Sequence, residues 1–159
     1  MHAVSRFVAV AAASVLAGLV PGAMPAAVQA VADEKTCQLR TESDGDQLSA
    51  SQLARLAMDT GFTGDGLVDA VAVALAESKG YTKAVLVNKN CTRDRGLWQI
   101  NDYWHPEVSE QQAFDPVQNA KAAFEISDQG ASWHQWSTYE NGLYKDYLPD
   151  AEQAVRNPA

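Results

Sequence analysis

Basic residues are scarce in this chain. Its 159 residues hold 12 Lys and Arg against 20 Asp and Glu, a net charge of -8. Binding to nucleic acid requires clustered Lys and Arg to neutralise phosphates, so that partner class is excluded. The same imbalance weakens attraction to any anionic surface, so a polymer partner must be recognised by local contacts. Histidine is almost absent too. Beyond His2 there are only His105 and His134, with no H-E-x-x-H or other ligand spacing, and no metal or organic cofactor is implied. No G-x-S-x-G elbow and no phosphate-cradling glycine loop occurs. The stretches around Asp44 and Asp65 lack EF-hand spacing and read as turns. There is no internal repeat.

Long apolar runs are also missing, with one exception. Val8 to Val20, VAVAAASVLAGLV, follows a short segment whose only charge is Arg6 and precedes small residues ending in Ala30-Val31-Ala32. It is too short to span a bilayer comfortably. Together these features predict a signal peptide over 1–32, cleaved before Asp33; the alternative is a retained N-terminal anchor. Removing it removes only Arg6, so the mature chain of 127 residues (159 less 32) carries -9. It is expected to be secreted, outside the membrane and monomeric.

Two cysteines, Cys37 and Cys91, lie beyond the expected cleavage point. In an exported chain they favour a single disulfide. Closing that 54-residue loop (91 less 37) stabilises by about 4 kcal/mol in the chain-entropy picture. The bridge is expected to pin a polar, irregular arm, residues 33–48, to the domain that fills 49–159.

In that domain, Ser49 and Gln52 have capping-box spacing ahead of an apolar face, and Gly61 closes the helix. A second helix is predicted over about Leu67 to Ser78. It is apolar all round, so it should be the buried central helix. From Val85 to Asn101, turn residues and the alternation in Trp98-Gln99-Ile100-Asn101 predict a small β-hairpin insertion. Asp115 and Pro116 open another helix, and the aromatic tail, broken at Asn141-Gly142 and Pro149, predicts two short ones. The fold class is therefore α+β, mainly α.

The central helix ends in a carboxylate, Glu77, after seven apolar residues, Ala70 to Ala76. An apolar surround and the negative end of the helix dipole both disfavour ionisation. A carboxylic acid kept protonated near neutral pH is what a glycosidase uses to protonate a departing sugar oxygen. The bland alternative is a helix-terminal Glu turned to solvent.

Glu77-Ser78 is followed by Asp94-Arg95-Gly96-Leu97-Trp98-Gln99-Ile100-Asn101. E-S near a helix end, then D-x-G-[aliphatic]-x-Q-I-N, resembles the active-site region of the lysozyme superfamily, which includes soluble lytic transglycosylases. The resemblance spans roughly Leu67 to Leu148 and implies a lysozyme-like fold around the buried helix. It implies that Glu77 is the general acid and that Asp94, 17 residues on (94 less 77), is the second carboxylate. Asp94 between Arg93 and Arg95 reads equally as a surface ion pair in a turn. Ser78 belongs to the same motif as a substrate-binding residue. Gln99 and Asn101 would line the cleft floor, and Trp104 would be a platform for a sugar ring. Trp133, first of the W-x-x-W in Trp133-His134-Gln135-Trp136, would pack against the acid, while Trp98 and Trp136 read as core. Thr138-Tyr139-Glu140-Asn141-Gly142 is loosely similar to the A-Y-N-A-G loop of lytic transglycosylases. The implied partner is the glycan strand of peptidoglycan, cleaved as by a lysozyme or a lytic transglycosylase. The alternatives are chitinase-type activity and a non-catalytic, glycan-binding or inhibitory module on the same fold.

Overall fold

A computed structural model describes residues 36–159. The expected signal peptide, with its cleavage point, lies outside the described residues. Among those described, no helix is long and apolar enough to cross a membrane.

Helix α1, Ala50–Thr60, starts where the local signals place it. The Ser49 side chain accepts from the Gln52 N–H, and the Gln52 side chain accepts from the Ser49 N–H. Its Leu53, Ala54 and Ala57 are fully buried. The chain turns at Gly61, whose φ of 119° suits a residue without a side chain. Helix α2, Gly64–Ser78, begins three residues earlier than the sequence implies. Every residue from Ala70 to Ala74 is wholly buried, so α2 is the central helix. It packs against α1, against α6 (Leu148–Arg156) and against a 3-10 helix (Leu143–Tyr147). Beyond α2, Lys79 takes a left-handed conformation, and Gly80 follows at φ 84°. A Cβ on Gly80 would stand 2.2 Å from the Leu48 carbonyl oxygen, so this exit admits only glycine.

The β insertion is larger than predicted. Strands β1 (Arg40–Glu42), β2 (Val85–Val87), β3 (Arg93–Arg95) and β4 (Ile100–Asn101) form an antiparallel sheet in sequence order. Strand β1 comes from the arm expected to be irregular and held by a disulfide alone. The Cys37–Cys91 disulfide is present, but the arm is also a sheet edge, with Arg40 opposite Val87 and Glu42 opposite Val85. All three β1 residues are exposed, so no alternation betrays the strand in sequence.

Two short helices follow, α3 (Glu110–Phe114) and α4 (Pro116–Ile126). Helix α3 has its own capping box, Ser109 with Gln112, and was not anticipated. The tail holds three short pieces where two were expected: α5 (Ser137–Glu140), the 3-10 helix and α6. Phe62 stacks against Trp98 and Trp133 at centroid distances of 6.4 and 5.8 Å, with Phe124 edge-on at 5.0 Å. One fully buried amide binds the halves together. Asn119 of α4 accepts from the Trp98 N–H and donates to the carbonyls of Arg95 and Ala113, at 2.9 to 3.2 Å.

Candidate active site

Glu77 lies in the last turn of α2, where the preceding apolar residues hold the backbone in the core and the side chain reaches the surface of a cleft. The cleft has a volume of about 650 Å³ and is lined by Glu77, Asp94, Gln99, Asn101, Trp104 and Trp136, among others. Burial pushes the Glu77 carboxyl up to about 7. Hydrogen bonds from Thr138 oppose that rise, the charge of Asp94 adds to it, and the ammonium of Lys79 opposes it. The Thr138 hydroxyl donates to Oε1 at 2.6 Å, so Oε2 is the oxygen left to carry a proton toward a ligand. The helix end is fixed by Lys79, whose Nζ hydrogen-bonds the Tyr147 hydroxyl and lies 4.3 Å from the centroid of its ring.

Asp94 is placed by strand register. In β3 it pairs with Leu86 of β2 on one side and Asn101 of β4 on the other. Asn101 Nδ2 donates to Asp94 Oδ1 at 2.5 Å, and Asn88 Nδ2 donates to Oδ2 at 2.9 Å. Thr92 Oγ1 accepts from both amides, at 3.1 and 3.2 Å, which completes the clamp. The flanking arginines turn elsewhere: Arg93 pairs with Asp102 and Glu110, and buried Arg95 donates to the Val108 carbonyl. Asp94 therefore faces the cleft, and no ion pair with its neighbours in sequence holds it.

The remaining predicted residues divide. Gln99 lines the cleft with a left-handed backbone, φ 47°. Its amide nitrogen donates to the carbonyls of Ala84 and Gly96, leaving its carbonyl oxygen for a ligand. Asn101 also lines it, but its amide is committed to Thr92 and Asp94, and its oxygen accepts from the N–H groups of Tyr103 and Trp104. It shapes the site by holding Asp94 and the turn that carries Trp104. Trp104 lines the cleft with 73 % of its surface exposed, edge-to-face against Tyr103 at 4.9 Å. A bare indole held this way is a platform a pyranose can cover.

Ser78 is not in the cleft. It is buried, donates to the Ala74 carbonyl and accepts from the Gly80 N–H, so it shapes the helix exit. Trp133 is also no lining residue. It is 1 % exposed and packed against Phe62 and Trp136. Trp136 is buried in the core, as its sequence context suggests, and also contributes to the cleft wall, with its Nε1 donating to the Trp98 carbonyl at 2.8 Å. Three site residues had no role assigned from sequence. Asn88 carried only a turn signal, Thr92 none, and Thr138, first residue of the loop loosely similar to A-Y-N-A-G, is 61 residues from the acid it touches.

A family model described as a lysozyme like domain matches residues 54–138, more than half of the chain, and the match contains every residue of this site from Glu77 to Thr138. No curated protein matches the chain.

Proposed function

Because the chain belongs to the lysozyme-like domain family, we propose that it is a peptidoglycan hydrolase that cleaves the β-1,4 bond between N-acetylmuramic acid and N-acetylglucosamine, with Glu77 as general acid. The observation that carries this reading is a carboxyl pushed by burial to about 7 on the wall of an open, amide- and tryptophan-lined cleft. At neutral pH about half of such groups hold a proton, against well under one in a hundred for an ordinary glutamate. The protonated Oε2 gives its proton to the bridging oxygen as the glycosidic bond breaks. Positive charge grows on the anomeric carbon and ring oxygen, and the Asp94 carboxylate, held by Asn88 and Asn101, faces that charge. Water activated by the Glu77 carboxylate then adds to the anomeric carbon and restores the acid.

Of the two product types open to this superfamily, the presence of Asp94 in the same cleft favours hydrolysis and a reducing-end sugar. Internal attack by the muramyl C6 hydroxyl, which yields an anhydro product, needs no second carboxylate. Export through a cleaved leader is part of the proposal, and the disulfide supports an oxidising compartment. The test is release of muropeptides from purified walls. Glu77→Gln should lower the rate by about two to four orders of magnitude with the fold intact; unchanged turnover by that variant refutes the assignment. Mass spectrometry of the products should find reducing ends, and anhydro ends alone would remove Asp94 from the mechanism while leaving Glu77 in it.

A further inference from the structure

One wall of the cleft includes a residue outside the 54–138 match. Leu39 lines the same cavity as Glu77 with 59 % of its surface exposed. Its backbone is anchored on both sides. Two residues earlier, Cys37 is disulfide-bonded to Cys91, and its N–H donates to the Lys89 carbonyl at 2.8 Å. One residue later, Arg40 opens strand β1 opposite Val87. A leucine fixed in this way and left bare offers an apolar surface whose ordering entropy is already spent.

Beside it lie Lys89 and Asn90, both exposed and both lining the cleft. Lys89 is the only lysine or arginine among the described lining residues, and its ammonium has no hydrogen bond or ion pair with any described residue. Asn90 Oδ1 accepts from the Thr92 N–H and hydroxyl, which leaves the Nδ2 donor outward. The other ionisable groups of the cleft are the acids Glu77 and Asp94 and the imidazole of His105, whose Nδ1 is engaged by Glu107 at 3.1 Å. A negatively charged group on a ligand is therefore repelled near the reacting bond and attracted at the disulfide side.

We infer that Leu39, Lys89 and Asn90 form a subsite for a carboxylate-bearing branch of the glycan, namely the 3-O-lactyl group of muramic acid or the peptide stem attached to it. The inference rests on reading the cleft as a glycan site and adds the discrimination that Glu77 does not supply. The acid can protonate the bridging oxygen of any β-1,4-linked amino-sugar polymer, whereas only a branched one presents a carboxylate to Lys89 and methyl groups to Leu39. The ammonium takes the carboxylate, the Asn90 amide donates to a neighbouring carbonyl, and Leu39 covers the methyl side.

The experiment is calorimetric binding in the full-length Glu77→Gln protein, so that no ligand is consumed. Three probes are compared: an N-acetylglucosamine oligomer, an alternating muramic acid oligomer with free lactyl carboxylates, and the same oligomer bearing peptide stems. Adding Lys89→Gln should weaken binding of one or both branched probes by about two- to fivefold at low salt, the range of an exposed ion pair, and leave the unbranched probe unchanged. The loss should shrink as salt is raised. A loss on the lactyl probe or on the stem-bearing probe identifies which carboxylate is held, and Leu39→Ser should weaken the same probe. Equal binding of every probe by parent and Lys89→Gln, absent binding included, overturns the subsite, as does an equal loss on all three. Turnover surviving in Glu77→Gln strikes the assignment of the acid instead, so the two failures are distinguishable.

Discussion

Glu77 stands at the end of a helix whose preceding seven residues are all apolar, whereas Asp94 stands on a three-residue strand between two arginines. The first is made by burial: hydrogen bonds from Thr138 reach it, and the loss of water outweighs them in setting its proton affinity. The second is made by register: strand pairing brings an amide from β4, and the β2–β3 turn brings another, to its two oxygens. One fold thus supplies two carboxyl groups in unlike surroundings, which is the condition for giving them different chemical tasks.

Removing each carboxyl in turn separates their two roles most directly. After the Glu77→Gln loss described above, Asp94→Asn should show the next largest effect, about a hundredfold lower kcat with the pH dependence kept, measured on soluble glycan fragments. If it leaves kcat unchanged, the strand-borne group is a scaffold element and only the helix side does chemistry.

Stability separates the two regions differently. The folded value of Glu77, about 7, lies above the ordinary 4.5, so the folded protein holds this proton more tightly than the unfolded chain. The stability this contributes is fully present below about pH 4.5 and is lost as pH rises through about 7. Glu77→Gln escapes the loss. Its gain over wild type at pH 8 is at most about 3 kcal/mol (1.36 kcal/mol for each of the 2.5 pH units between 4.5 and 7). Partial exposure of the side chain discounts that ceiling, and the expected gain is about 1–2 kcal/mol. Urea unfolding at pH 5 and pH 8 should show the two proteins diverging only at the higher pH.

The smallest effect tests the hydroxyl. Activity should fall as pH rises through about 7, because the acid must be protonated to work. The Thr138 hydrogen bond favours the charged form, so Thr138→Val should move that falling limb to higher pH and lower kcat about fivefold, while Thr138→Ser restores both. A pH profile that does not move assigns Thr138 to packing alone.

The same contrast explains what could be read in advance. Signals confined to a few neighbouring residues were legible: the Ser49 and Gln52 box, Gly61, and Asp115 with Pro116 all mark boundaries where they occur. So was Glu77, since an apolar run that stops in an acid is visible without coordinates. Features set by partners far along the chain were not. Arg40–Glu42 forms a strand only because Val85–Val87 offers an edge, and its own side chains, all exposed, show no period. Trp133 and Trp136 are three residues apart and both buried, and only the packing, Trp133 against Phe62, shows which of them also reaches the cleft. Ser78 follows the acid directly, yet a hydroxyl in a helix turns back to the carbonyl four residues earlier.

Asn119 gives the cleft a mechanical property. A single amide grips three backbone groups, at Trp98, Arg95 and Ala113, and so rivets the sheet-borne turn to the helical bed beneath it. The walls of the opening are thus joined behind it. If the cleft takes a glycan as proposed, any adjustment of shape on binding would fall on the sugar chain sooner than on the protein.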